Sequence, residues 1–334
     1  MEIIMSLLRK RKAAVTYLLR LVAGLFVLAG CLGCTPSDDN TVDAQPPFKI
    51  IVLSDIHVRI PGNPDDAFYD NQGNLDNIQT AVSTINTHYQ TADFVAVTGD
   101  LVGCLFSEDL ADYSQDATNP AMKFREIMDG LNIPYHVTLG NHDYQTGFDT
   151  ALGEGISTTD ITRVEAVWNQ VLSIPPYYSF VHNGVNFVFL NSNRGASRSE
   201  NCPGCQVEKF CTGSFDDEQL QWLTTVLERP EPAILFFHHP PLTDSPDTLW
   251  AIFSSFLVDS EDDFYDVIDA RSEKIMAIFV GHGHFWQNDT LYGGIDVYET
   301  AAIGDMLGSA EHISIVEIDP EAFHVTVTRH SEDS

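Results

Sequence analysis

The sequence predicts an α/β or α+β domain with a layered core. Short apolar runs rich in β-branched residues recur along the chain, bounded by turn residues, as interior strands require. Amphipathic stretches of helical period separate them, so strands and helices must pack in layers. The composition supplies enough apolar surface for such a core, with 44% hydrophobic and 19% charged residues. No internal repeat interrupts this pattern.

The elements follow in order. Ile50–Leu53 and Phe94–Val97 read as the first two strands. A helix-like segment at 120–130 precedes a third, Pro134–Leu139. Tyr177–Val181 and Val185–Leu190 face each other across the turn His182-Asn183-Gly184. Ala233–Phe237 and Ile275–Val280 are two more buried runs. Near the end, Ile313, Ile315 and Ile318 and then Phe323, Val325 and Val327 predict a hairpin turning at Asp319-Pro320-Glu321. Helical periodicity marks 74–90, 161–171 and 216–229. In the last of these, Phe215, Leu220, Trp222, Leu223 and Leu227 form the apolar face. Asp216-Asp217-Glu218 suits its N-terminus, where the helix dipole favours negative charge. The segments 102–119, 144–160, 194–214 and 242–262 are long connections of the kind that carry function or disorder.

Charge excludes some function classes. Lys+Arg 17 against Asp+Glu 48 gives a net charge of −31. A nucleic-acid binder, a nuclease included, needs clustered Lys and Arg for phosphate contacts, and a basic membrane-surface module needs them too. The first thirty residues differ from the rest. They hold Arg9, Lys10, Arg11, Lys12 and Arg20 against Glu2 alone, leaving 12 basic and 47 acidic residues in the remainder. A basic stretch, a short apolar run Leu21 to Gly30 and small residues before Cys31 have the order of a secretion signal. That run of ten residues is shorter than the roughly 20 a bilayer span needs. Leu28-Ala29-Gly30-Cys31 resembles the lipobox of bacterial lipoproteins, which implies a lipid on Cys31 as first residue of the mature chain. Residues 35–47 are rich in Pro, Asp and Asn and read as a flexible tether. The expected organisation is a signal peptide at 1–30, a tether at 31–47 and one domain at 48–334. The expected location is the bacterial cell envelope, exported and lipid-anchored.

Cysteine usage agrees with export. Besides Cys31 and Cys34 the chain has Cys104, Cys202, Cys205 and Cys211. Four thiols allow three pairings, and the expectation is a surface loop stapled by disulfide. Cys202-Pro203-Gly204-Cys205 also has the spacing of a thiol oxidoreductase or zinc site. Its flanks are polar loop rather than a strand-to-helix turn, which favours the staple.

Five predicted strands end in metal-ligand residue types. The ends are Ser54-Asp55-Ile56-His57, Thr98-Gly99-Asp100, Gly140-Asn141-His142-Asp143, His238-His239-Pro240-Pro241 and Gly281-His282-Gly283-His284. Each alone is compatible with turn chemistry. In layered α/β proteins, however, sites form at the carboxyl ends of strands. Six of the 12 histidines fall at these five ends, so the set points to one metal site.

In this order the motifs resemble those of the calcineurin-like metallophosphoesterase superfamily, over about residues 48–310. The stretch Phe215 to Leu223, with Gln219 and Trp222, also resembles the phosphodiesterase and purple acid phosphatase branches. The resemblance implies a four-layer fold, two mixed β-sheets packed face to face and flanked by helices. It implies a first metal held by Asp55, His57, Asp100 and His284. It implies a second held by Asp100, Asn141, His238 and His282, with Asp100 bridging. His142 would stand beside the substrate. One position departs from the purple acid phosphatase pattern. Gly103 stands where that branch places a tyrosine, so a divalent pair is expected rather than a ferric–tyrosinate centre.

The expected activity is hydrolysis of a small phosphomonoester or phosphodiester by a metal-bridging hydroxide. His142 would act as general acid, with Asp143 a candidate orienting partner. Imidazole and carboxylate ligands suit two divalent ions of Mn, Fe, Zn or Co. The competing class is an inactive, metal-holding binding protein on the cell surface.

Overall fold

The structure is a computed structural model that describes residues 45–60, 71–105, 119–149, 154–157, 161–195, 212–243, 257–259, 262–291, 293–304 and 312–330. The signal, the lipobox, most of the tether and the cluster Cys202, Cys205 and Cys211 lie outside the described residues. Cys104 is buried, and its thiol donates to the Gln145 carbonyl at 3.3 Å.

Two mixed sheets form the centre. The first contains β1 (Phe48–Leu53), β2 (Val95–Val97), β3 (Tyr135–Val137), β12 (Ser314–Asp319) and β13 (His324–Arg329). Its strand order is β13-β12-β1-β2-β3, with β1, β2 and β3 parallel. The second contains β6 (Tyr178–His182), β7 (Val185–Phe189), β8 (Ala233–Phe236), β9 (Ile275–Val280), β10 (Gln287–Leu291) and β11 (Ile295–Glu299). Its order is β10-β11-β9-β8-β7-β6, with β7, β8, β9 and β11 parallel. A separate antiparallel pair joins β4 (Gln145–Asp149) to β5 (Glu154–Ser157).

Side-chain alternation explains the layers. In β1, Ile50 and Val52 face the other sheet, while Ile51 and Leu53 face helices. In β8, Ile234 and Phe236 point between the sheets, and Leu235 points to the opposite side. Both faces of the central strands are therefore covered, which is why they read as unbroken apolar runs. The helices α1 (Asn71–His88), α2 (Pro120–Met128) and α3 (Ile161–Leu172) cover the outside of the first sheet. The helices α4 (Asp217–Leu227) and α5 (Phe264–Asp269) cover the second. Four layers result, as the resemblance implied.

Local chemistry sets the helix starts. Asn119 caps α2 by accepting from Met122 N, and Pro120 opens the helix without an orphaned amide. Asp216 caps α4 by accepting from Gln219 N at 2.8 Å.

The structure departs from the expected elements in several places, the helix α5 among them. The hairpin β10–β11 was not expected, because Gln287, Asn288, Asp289 and Thr290 carry no apolar alternation. The signal present was Gly293-Gly294, both at positive φ (91° and 81°), between Leu291 and Ile295. The pair β4–β5 forms within the expected loop 144–160. Phe323 was expected to open the returning strand of the hairpin but lies in the turn, at φ 50° and 44% exposed. Asp319 tightens that turn by accepting from Glu321 N and Ala322 N, so strand pairing resumes only at His324.

An aromatic rung crosses the second sheet on its inner face. Tyr178, Phe189, Phe236, Phe279 and Tyr298 sit in register on five strands. Their consecutive ring centroids are 4.9, 4.8, 5.4 and 5.3 Å apart, all stacked. Phe236 lies at the centre and is fully buried. Phe236→Ala is expected to lower stability by about 3–5 kcal/mol through lost burial and the cavity left behind. Phe323→Ala is expected to change it by no more than about 0.5 kcal/mol. Urea unfolding of both variants checks this, and similar losses would place the rung outside the stabilising core.

Candidate metal centre

The five ligand-bearing ends converge because of the sheet order. Strands β1, β2 and β3 run parallel as neighbours, and so do β8 and β9 in the facing sheet. Their carboxyl ends open on the same side. Beyond β1 and β2 the two chains stay zipped by backbone bonds. Asp55 N donates to Gly99 O at 3.1 Å, His57 N to Asp100 O at 2.8 Å, and Val58 N to Leu101 O at 3.0 Å.

The loops that meet at the centre adopt an uncommon backbone. Asp55, His57, Asp100, His282 and His284 all have positive φ, between 49° and 77°. Non-glycine residues held there cost of order 1–3 kcal/mol each and cluster at functional sites. The neighbouring glycines permit the close approach. Gly99 has φ 103°, and a Cβ there would fall 2.7 Å from His238 Nδ1. A Cβ on Gly140 would overlap the Asp100 carboxylate.

All seven expected ligands lie in two adjoining groups. The donor atoms of Asp55, His57, Asp100 and His284 lie within 4.8 Å of one another. His57 Nε2 is 3.1 Å from His284 Nε2, and His284 Nε2 is 3.3 Å from Asp55 Oδ1. In the second group, Asp100, His238 and His282 meet the same distance limit. His238 Nε2 lies 3.0 Å from Asn141 Oδ1 and 3.1 Å from His282 Nδ1. Asp100 Oδ2 joins the groups, 3.6 Å from His57 Nε2 and 3.2 Å from His238 Nε2.

A frame of hydrogen bonds holds these side chains. Ser54 Oγ donates to Asp55 Oδ2 at 2.5 Å, and Thr98 Oγ1 donates to Ser54 Oγ at 2.7 Å. His282 N donates to Asp55 Oδ2 at 3.1 Å. His142 N donates to Asp100 Oδ1 at 2.9 Å. His238 Nδ1 faces the Thr98 carbonyl at 2.9 Å, so Nδ1 carries the hydrogen and Nε2 is left for the centre.

The expected non-ligand histidine, His142, sits at the edge. Its ring lies 4.7 Å from the His57 ring, and its Nδ1 faces Gly103 O at 2.9 Å. A carbonyl only accepts, so Nδ1–H is the donor and Nε2 is the working nitrogen. Asp143 does not orient His142. Its carboxylate instead accepts from Val102 N at 3.1 Å and Gly140 N at 2.8 Å, tying the loops after β2 and β3 together. It is fully buried, because those amides satisfy it locally.

Several contributors went unassigned in the sequence. Leu190 is followed by Asn191-Ser192-Asn193, another polar end on a buried strand and the signal that could have found them. Ser192 Oγ lies 2.7 Å from His239 Nδ1, and Asn193 Nδ2 donates to Leu139 O just before the Gly140–Asp143 turn. Gln219 clamps the Asn191 peptide, accepting from its N at 2.8 Å and donating to its O at 3.0 Å. Glu299, fully buried, packs on Gly283 between the two histidines of the last motif.

The electrostatics fit a cation. Burial, aided by neighbouring histidines, holds the His57 and His282 imidazoles well below the usual range, so both are neutral, the form that ligates. Burial works against the Asp100 carboxylate, yet His238, His142 and His57 outweigh it and keep it charged. Burial also opposes charge on His238, but without a metal Asp100 raises it to about 9, so an ion at Nε2 would have to displace that proton. Burial and then Asp100 push the Asp143 carboxyl well up. Carboxylate, imidazole and amide oxygen donors at these separations suit first-row divalent metals.

The comparisons agree with this geometry. The family model for calcineurin-like phosphoesterases matches residues 48–285. No curated protein sequence matches the chain significantly. A dimetal phosphatase from Danio rerio has a similar fold, with TM-score 0.52 and 15% identity, covering 86% of this chain and 100% of that one. A purple acid phosphatase from yellow lupin (Lupinus luteus) seeds gives TM-score 0.52 and 11% identity. It covers 87% of this chain, which spans 52% of the lupin protein. At such identities these structures speak for the fold alone. The family match spans well over half of the sequence and includes all five strand-end motifs, and the chain belongs to the calcineurin-like phosphoesterase family.

Proposed function

We propose that this chain hydrolyses small phosphate esters at a dinuclear metal centre. The observation that carries the reading is Asp100, whose one carboxylate oxygen lies within 3.6 Å of a histidine from each donor group. Asp55, His57, Asp100 and His284 would hold the first ion. Asp100, Asn141, His238 and His282 would hold the second. Two divalent ions bound there would supply Lewis acidity and a water acidified enough to attack at neutral pH. The two carboxylates neutralise only half of the charge of such a pair, so an anionic ester is attracted despite the acidic surface.

The protein's own groups do the remaining work. His142 N donates to the second oxygen of Asp100, which ties the turn carrying the histidine to that carboxylate. Gly103 O fixes the His142 ring, leaving Nε2–H of the imidazolium to protonate the leaving oxygen. Asp143 holds the turn that carries Asn141 and His142.

We also propose that the protein is exported and held in the cell envelope by a lipid on Cys31. The order of basic stretch, apolar run and Leu28-Ala29-Gly30-Cys31 supports this. Among the described residues no helix is long and apolar enough to cross a membrane.

Three outcomes test these readings. Purified protein should contain about two transition-metal ions per chain, and chelation should abolish hydrolysis. Asp100→Ala should empty both positions, and active wild-type protein without transition metal would contradict the mechanism. His142→Ala should slow alkyl phosphates by about 10²–10⁴-fold, activated aryl phosphates far less, with metal content retained. Equal losses on both substrate types would remove the acid role. Cys31→Ala should leave the membrane fraction and lose the mass of a lipid, and an unchanged mass with retained membrane association would refute the anchor.

A further inference from the structure

Asn74 lies buried in the first turn of α1 and reaches the loop that carries Asp55 and His57. Its Nδ2 donates to Ile56 O at 3.3 Å and to Gly304 O. Both partners are carbonyls, so the nitrogen and not the oxygen must face them. Its Oδ1 is buried and accepts from no group among the described residues. Burying an amide oxygen unpaired is unfavourable, so packing alone does not account for an asparagine at 74. What the asparagine adds is its pair of donors. The Ile56–His57 peptide is thereby held at both ends. Asn74 holds its oxygen, and its N–H, on His57, donates to Asp100 O at 2.8 Å. Asp55 and His57, on either side of Ile56, sit at φ 50° and 49°. Turning the peptide over would return His57 to the ordinary negative range of φ. It would also break the bond to Asp100 O, the tie that sets His57 beside the bridging residue. Gly304 completes the clamp. A Cβ there would overlap Ile56 O and fall 2.5 Å from Asn74 Nδ2, and Gly304 N donates to Asp55 O at 3.0 Å.

We propose that Asn74 is a positioning residue for the first metal ion, keeping His57 beside Asp100 by locking the Ile56–His57 peptide. The inference rests on the dinuclear reading above and assigns one of its supports to one ion. Among the described residues, the side-chain bonds of Asn74 run to the Ile56 and Gly304 carbonyls alone. The residues that belong to the second ion only, Asn141, His238 and His282, follow β3, β8 and β9 and lie on other loops. Asp100 is shared, but its carboxylate is held by His142 N rather than by this clamp. Loss of the clamp therefore weakens the first ion selectively. Groups that orient a ligand without touching the metal change its affinity about 10- to 100-fold.

The test titrates Mn²⁺ calorimetrically into the full-length protein after removal of metal. His57→Ala and Asn141→Ala assign the two binding phases, since each removes a ligand of one ion. Asn74→Leu keeps most of the side-chain volume and removes both donors. It should weaken the phase lost in His57→Ala by about 10- to 100-fold and the phase lost in Asn141→Ala by less than about threefold. Asn74→Ala adds no bulk, should show the same selectivity, and carries the test should Asn74→Leu fail to fold. Phe236→Ala loosens the core without touching the clamp and should leave both phases unchanged, which separates positioning from general destabilisation. Equal weakening of both phases in the Asn74 variants, no weakening, weakening of the second phase alone, or the same selective loss in Phe236→Ala overturns the inference. Wild type that binds a single ion would instead sink the dinuclear reading. The role of Asn74 would then stand if that ion is lost in His57→Ala and weakened in Asn74→Leu, and fall if it is not.

Discussion

Burying the Asp100 carboxylate dominates the architecture of this protein. An ionised carboxylate taken out of water is costly unless charges and donors surround it. Asp100 is fully buried, and the surrounding structure answers that cost. The His142 amide holds one oxygen, and His57 and His238 lie beside the other. To bring them there, loops from both sheets must meet over one carboxylate. The zip between the ends of β1 and β2, the positive φ of five ligand-type residues and the glycines at 99 and 140 serve that meeting. Strain of this kind persists only where packing over-determines it.

Much of the fold was legible because the central strands are covered on both faces. Runs such as Ala233–Phe237 and Ile275–Val280 have no other reading than burial once turns bound them. Legibility failed where a strand's identity came from its partner. Gln287–Leu291 is polar because β10 is an edge strand, paired among the described residues with β11 alone, and its own side chains do not declare it. Phe323 failed for the opposite reason. Its hydrophobicity promised an inward position, but the Asp319 turn takes precedence and leaves it exposed.

The same division runs through the site. The seven donor residues and His142 belong to short motifs directly after strands, so residue type and position together declare them. Their supports are not local. Gln219 reaches Asn191 across 28 residues, and Ser192 meets His239 across 47. Asp143 looked like a partner for its neighbour His142, yet its bonds run to Val102 and Gly140. Residue pattern thus marks the residues proposed to bind, and tertiary contacts reveal what orients them.

The central claim is that Asp100 bridges two ions. Anomalous diffraction from crystals of Mn-loaded protein measures this directly. The account predicts two peaks roughly 3.5–4 Å apart. Asp100 should lie between them, with Asp55, His57 and His284 on one and Asn141, His238 and His282 on the other. A single peak, or two peaks that do not share Asp100, would contradict it.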